Sequence, residues 1–258
     1  MQKEETKYGE SPIFEGMQSI RSVIAGNEAG LNDRKIREIL VDRSRIGALK
    51  KELGWLRHVG ERNGFAIREL DACDVDRLSL GRSHGGILAV CSERTIPKLS
   101  PEKIKENGFY VMIEGIEDPY NFGYALRSLY AAGVDGIVLS ERNWMSAAGV
   151  VARSSAGASE MFPVFTAGPT AAADVFKEKG YLIVCADLDT PDTLEETEIR
   201  FPVFLVVGGE RRGISRALLD RADLKVRISY GREFRASLSA ASAATILAYE
   251  IFRQNRNK

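Results

Sequence analysis

Short apolar runs alternate with amphipathic stretches along most of the chain. After a polar start, "PIFEGMQSIRSVIAG" places Phe14, Met17, Ile20 and Ile24 at helical spacing. "IREILVD" (36–42) and "FAIREL" (65–70) read as short strands. Between them, "RIGALKKELGWLRHVGERNG" reads as a helix with a Leu49, Leu53, Leu56 stripe, closed by Gly60 or Gly64. "DACDVDRLSLG" predicts an Asp-capped helix, and "GGILAVCS" (85–92) a strand entered through glycines. From Phe109 the apolar runs lengthen. "FYVMIEG" (109–115), "GIVLS" (136–140), "MFPVF", "YLIVCADL" (181–188), "FPVFLVVGGE" (201–210) and "LKVRIS" are predicted strands. Helical stretches stand between them, one of them around 146–155, and the last runs through "SLSAASAATILAYEIFRQ" (237–254). Near-continuous apolar strands alternating with helices imply a mostly parallel sheet covered on both faces.

The pattern divides the chain. Residues 1–10 are polar and predict a disordered tail. Residues 11–93 form a small α/β unit. "RTIPKLSPEKIKEN" (94–107) holds two prolines, four basic residues and few apolar ones, and reads as a linker. Residues 108–258 form the larger α/β unit.

Composition narrows the function classes. The 258 residues, 44% hydrophobic, are enough for a sizeable core, and 36 basic residues balance 36 acidic ones. Residues 1–107 carry 19 Lys and Arg against 17 Asp and Glu, and the remainder 17 against 19, so no basic domain announces a polyanion. Three scattered cysteines and two histidines argue against a disulfide framework and a metal centre, so no metal is expected. No apolar run is long enough for a membrane span and "MQKEETKYGE" has no apolar core of a leader, so a cytoplasmic protein is expected. The dinucleotide fingerprint, the P-loop and the GxSxG elbow are all missing.

Three loops remain, each after a predicted strand, where open α/β sheets place ligands. In "DPYNFGYALR" (118–127), Asp118-Pro119 sets a turn, Asn121 precedes Gly123, and Arg127 lies about one and a half turns into the next helix. In "VVGGERRGIS", paired glycines after a buried strand let a ligand approach the backbone. In "ISYGREFRASLSAAS", a strand, a polar loop and a small-residue helix start follow one another. Taken singly, each loop fits an ordinary helix start, a strand end or tight helix packing as well as it fits a site.

In this order, the three loops resemble the motifs of the SpoU/TrmH family of RNA 2′-O-methyltransferases in the SPOUT superfamily. "DPYNFGYALR" matches D-P-x-N-x-G-x-x-x-R throughout, and "GGERRG" matches G-x-E-x-x-G. The third stretch matches at Ile228, Gly231, Ser237 and Leu238. The resemblance spans about 108–258. Residues 11–93, ending in "SHGGILAV", resemble the small L30e-like RNA substrate-binding domain that often precedes it. The resemblance implies a trefoil knot in the larger domain and S-adenosylmethionine held at Val207, Gly208, Gly209, Ile228 and Leu238. It implies Asn121, Arg127 and Glu210 in the active site, with the first motif facing the ribose. A homodimer follows as well, its small-residue final helix suited to close packing. The implied reaction is methyl transfer to a ribose 2′-hydroxyl of structured RNA, ribosomal RNA ahead of transfer RNA. The chain departs from the family at one point: Ser239 stands where the third motif has Asn, and Ala241 where it has a second Ser. That departure motivates an alternative, a knotted RNA-binding protein with weakened or lost catalysis, and adds Ser239 to the active-site candidates.

Overall fold

The computed structural model describes residues 12–81, 83–140, 147–209 and 211–256. In chain order its elements are β1 (Ile13–Glu15), α1 (Gly16–Glu28), β2 (Ile36–Asp42), α2 (Lys50–Asn63), β3 (Ala66–Leu70), α3 (Ala72–Leu78), β4 (Ile87–Cys91), β5 (Phe109–Glu114) and α4 (Pro119–Ala131). There follow β6 (Gly136–Leu139), α5 (Ala148–Ser154), β7 (Val164–Thr166), α6 (Pro169–Glu178), β8 (Leu182–Ala186), β9 (Val203–Gly208), α7 (Arg216–Leu219), β10 (Leu224–Val226) and α8 (Ala240–Asn255). They form two compact units.

The first unit takes the chain through Thr95 together with 147–161. Its sheet runs β1-β4-β2-β3, with β4 antiparallel to both neighbours and β2 parallel to β3. Residues 13–15 are a strand rather than the first turn of a helix, because Ile13 and Phe14 pair with Val90 and Ala89 of β4. Leu53 and Leu56 of the α2 stripe are buried in the core. The helix is closed by Gly64, which is left-handed at φ +75°. Gly60 serves packing instead: a Cβ there would meet the Phe65 carbonyl oxygen at 2.7 Å. Asp71 stands at the start of α3, but its carboxylate pairs with Arg43 at 2.6 Å instead of capping the helix.

The stretch 147–161, expected within the larger domain, packs in this first unit. Gly149 sits where a Cβ would collide with the Ile13 carbonyl oxygen. Arg153 pairs with the buried Glu15 carboxylate at 3.0 Å. Glu160 takes Nε of Arg34 at 3.1 Å, both side chains under 5% exposed, and Arg94 donates to the Ser159 carbonyl oxygen at 2.9 Å. Glycines allow close approach and arginines hold the segment, a device that hydrophobic periodicity does not register.

The second unit comprises 96–140 and 162–256. Its six strands are all parallel, in the order β10-β8-β9-β5-β6-β7. Residues 96–107 are part of this unit and not a free linker. Leu99 donates to the Thr166 carbonyl oxygen at 2.9 Å, Thr166 donates to that of Pro97 at 2.9 Å, and Ile104 is buried in the core. The aromatic centre of that core stacks Phe176 on Phe204 with ring centroids 4.2 Å apart. Helix α4 packs against α8. The small residues Ala240, Ala241, Ala244 and Ala248 face inward, so the small-residue stripe serves packing within the chain.

Candidate functional site: a pocket at the carboxyl ends of three parallel strands

Strands β10, β8 and β9 are adjacent and parallel, so the loops that follow them leave the same edge of the sheet. There they enclose a pocket of about 400 Å³. Its walls come from Ala186–Asp189 after β8, Val207–Gly209 and Arg212–Ile214 after β9, Val226–Ile228 and Tyr230 after β10, and the approach to α8 from Ser237 to Leu247. Val207, Gly208, Gly209, Ile228 and Leu238, five positions singled out from the sequence, all line it.

Gly208 and Gly209 have a definite steric cause. A Cβ on Gly208 would stand 2.6 Å from the Gly213 carbonyl carbon, and one on Gly209 would stand 2.5 Å from the Gly115 carbonyl carbon and oxygen. The Gly209 N–H donates to the Glu114 carbonyl oxygen at 2.6 Å, and the Gly213 N–H to that of Gly209 at 3.1 Å. Gly213 closes the turn at φ +61°. The glycines therefore admit the chain's own backbone, and ligand approach is not needed to explain them. The Glu114 carboxylate takes the Ser215 N–H at 3.0 Å, tying the far end of this loop back to β5.

The first motif builds a helix start. Asp118 is the N-cap of α4, its carboxylate accepting the Asn121 N–H at 2.7 Å, and Pro119 occupies the first turn. Asn121 is half-buried and Arg127 exposed on α4. Neither is on the pocket wall, so within one chain the first motif does not face the pocket. Among the described residues the Arg127 guanidinium has no ion-pair partner. Glu210 lies outside the described residues. Ser239 follows the lining residue Leu238 and is the N-cap of α8, its hydroxyl accepting the Ser242 N–H at 3.2 Å.

Hydrophobic patterning does not mark several of the wall residues. Tyr230 accepts a hydrogen bond on its hydroxyl from the Leu238 N–H at 3.3 Å, closing the loop between β10 and α8. Asp187 and Asp189 form a turn, the Asp189 N–H donating to the Asp187 carboxylate at 3.1 Å. The available signal was the polar "DLD" directly after an apolar strand. Cys185, in β8, is not a nucleophile here, because burial pushes its thiol up to about 12. Among the described residues no group of His, Cys, Asp and Glu is placed to hold a metal. No helix there is long and apolar enough to cross a membrane.

The profile of the SpoU rRNA Methylase family matches residues 108–249, more than half of the chain. The chain belongs to this family. Membership makes it an RNA methyltransferase with S-adenosylmethionine as methyl donor. A protein of Staphylococcus haemolyticus named as a TrmH family tRNA/rRNA methyltransferase is 33% identical over 145 residues, 56% of this chain and 58% of that relative's length. A crystal structure of an RNA 2′-O ribose methyltransferase superposes with a TM-score of 0.77 at 22% identity, covering 98% of this chain and 92% of the other. The SpoU methyltransferase AviRb of Streptomyces viridochromogenes, in complex with the cofactor AdoMet, superposes at 0.75 with 20% identity, covering 98% and 93%. These structures share the α/β fold with its mostly parallel sheet.

Proposed function

We propose that this SpoU-family chain transfers the methyl group of S-adenosylmethionine to a ribose 2′-hydroxyl of structured RNA, ribosomal RNA first, and that it works as a homodimer. The observation that carries the reading is the pocket, which gathers every sequence-singled cofactor position onto one wall set. The pocket fits the donor. Its volume lies in the range of small-molecule sites, ~300–1,000 Å³, and Val207, Ile228, Leu238 and Leu247 offer apolar surface beside loop backbone. When bound, S-adenosylmethionine supplies an electrophilic methyl group on a sulfonium centre.

The chain's part is to hold the donor, align the ribose and manage charge. Val207–Gly209, Ile228 and Leu238 are assigned to holding the donor. Alignment of the two reactants supplies several kcal/mol of the barrier, about 7–11 in well-oriented systems. Negative charge develops on the ribose oxygen as its proton leaves. Arg127 is assigned to stabilising it as a fixed cation, since a guanidinium does not act as a base near neutrality. Asn121 is assigned to positioning the ribose or Arg127, and Glu210 to fixing a neighbouring N–H or an Arg.

Arg127 stands off the pocket of its own chain, and a second copy is the natural way to supply it. Tyr120 and Tyr124 on α4 and Ile246 and Tyr249 on α8 are exposed at 40–57% on two helices that pack together. Exposed apolar side chains concentrated in this way favour association. In the first unit, Lys51, Trp55, His58 and Arg62 share one exposed face of α2, with the Arg21 guanidinium 5.6 Å from the Trp55 ring. A cationic and aromatic stripe without an acid suits RNA, and supports a substrate-binding role for residues 11–93. Ser239 caps a helix, a task that Ser and Asn perform about equally, so the departure from the family motif has a structural account.

The test supplies methyl-labelled S-adenosylmethionine with unmodified ribosomal and transfer RNA, and maps the modified riboses. Label in ribosomal RNA at a 2′-oxygen is expected, and no incorporation into either RNA overturns the reading. Arg127→Ala is expected to abolish transfer while calorimetric affinity for the donor stays within about twofold. A large loss of donor affinity would mean that its role is misassigned.

A further inference from the structure

We propose that Phe234 is a stacking platform that takes an unpaired base of the RNA substrate beside the donor pocket. The proposal rests on the reading of RNA as the substrate. Phe234 lies in the loop between Ile228 and Leu238, both of which line the pocket. It is 57% exposed. A lone exposed phenylalanine is ordinary on a protein surface; this one is held in place. Its ring packs edge-to-face on Tyr230, with centroids 5.9 Å apart and planes at 61°. Tyr230 itself lines the pocket, and its hydroxyl takes the N–H of Leu238 at 3.3 Å. The loop is thereby fastened to the pocket wall at both ends. Phe234 is backed by an aromatic ring and more than half open to solvent.

The charges around it suit a nucleotide. Arg232 and Arg235 flank Phe234 and are exposed. Arg235 meets Glu233 at 3.7 Å, with the two side chains 93% and 86% exposed. A pair so open to water is weak and leaves the guanidinium available to phosphate. The chain as a whole has no net charge, so long-range attraction to a polyanion is small and short-range contacts must supply much of the affinity. Stacking is such a contact, and it is worth about 1–3 kcal/mol per base. A side chain reaches the face of a base only when that base is out of a duplex. The class recognised is therefore an unpaired nucleotide next to the ribose being modified.

The experiment uses the full chain saturated with S-adenosylmethionine and a fluorescein-labelled unstructured RNA of about 12 nucleotides, the size range of single-strand sites. Fluorescence anisotropy compares this strand alone with the same strand in a duplex. Wild type is expected to bind the single strand more tightly. Phe234→Ala should weaken single-strand binding by about tenfold, within the roughly fivefold to 150-fold span that stacking energies imply. It should leave duplex binding and donor affinity within twofold. Phe234→Trp should restore the single-strand affinity. The inference is overturned if Phe234→Ala binds the strand as wild type does, loses duplex affinity equally, or loses donor affinity in step. It is also overturned if wild type does not prefer the single strand. Methyl transfer to ribosomal RNA, measured on the same wild-type protein, reports separately on the catalytic reading. Transfer without any dependence on Phe234 removes this inference alone. Phe234-dependent binding without transfer removes the catalytic reading alone.

Discussion

Gly209→Ala separates two explanations for the paired glycines at the end of β9. The sequence suggests that they admit a ligand, whereas the structure shows that they admit the chain itself. The new Cβ would stand 2.5 Å from the carbonyl carbon and oxygen of Gly115 and 2.7 Å from the carbonyl oxygen of Glu114. All three are backbone atoms, so no side chain can swing aside. Relief requires displacing the exit of β5 or of β9, which the Gly209–Glu114 hydrogen bond at 2.6 Å holds together. Overpacking of this kind costs about 1–3 kcal/mol, and rigid surroundings argue for the upper end. Alanine returns about 0.4–1 kcal/mol through the less flexible unfolded chain. The net expectation is a loss of about 2 kcal/mol, a fall of roughly 4–8 °C in the unfolding midpoint for a chain of this size. Gly231→Ala is the control: its Cβ would meet nothing within 4 Å, and stability should hold or rise slightly. Thermal and urea unfolding followed by circular dichroism, with calorimetric titration of S-adenosylmethionine alongside, read both variants. A Gly209→Ala protein as stable as wild type that has lost the donor would refute the packing argument.

Ser239→Ala should lose about 1 kcal/mol, while Ser239→Asn should stay within about 0.5 kcal/mol of wild type in the same unfolding assay, because both residues cap helices well. Glu160→Gln strips the counter-charge from an Arg34 side chain that is 3% exposed, and should lower stability by about 3 kcal/mol, the lower end for breaking a buried pair. Cys91 and Cys185 are buried and Cys73 is exposed, so a thiol reagent at pH 8 should titrate one cysteine in the folded chain and three in urea. Burial pushes the Cys91 and Cys185 thiols up to about 12, so the unfolded state releases these protons first. Stability should therefore fall as pH rises from about 8.5 toward 12, and a flat unfolding midpoint across that window would count against the burial of both.

Periodicity carries far where an element's partners are local. The α2 stripe, the Gly64 closure and the buried strands β5 and β9 were all readable, because each follows from apolar spacing or from a glycine in one window. It fails where a partner is distant. The strand 13–15 reads as part of a helix because its alternation is two residues long, and only pairing with β4 decides it. The proline-bearing stretch 96–107 reads as a linker because it is polar, yet its backbone pairs beside Thr166 and a single apolar residue, Ile104, anchors it. The stretch 147–161 reads as part of the domain around it in sequence. Its attachment depends on glycines that meet other backbone and on arginines whose acceptors lie 65 to 138 residues away.

The site divides along the same line. Val207, Gly208, Gly209, Ile228 and Leu238 were visible because each sits at a strand end or helix start with unusual composition. Asp187 and Tyr230 were not, because a strand list in chain order does not say which strands are neighbours. Only the order β10-β8-β9-β5 places the loop after β8 between the loops after β9 and β10, and so makes "DLD" a wall. The same order explains why the first motif stands apart. Strand β5 adjoins β9, so its exit touches the site through Gly115, against which Gly209 closes. Beyond Gly115 the chain turns into α4, and Arg127 follows that helix outward to its exposed face. The role proposed for Arg127 at the ribose therefore requires a second chain, because Arg127 is exposed and off the wall of its own pocket. Mixing Arg127→Ala protein with protein that carries a bulky substitution at pocket residue Leu238 should therefore regain activity in mixed dimers that neither variant shows alone. An Arg127 that worked within its own chain would give no such recovery.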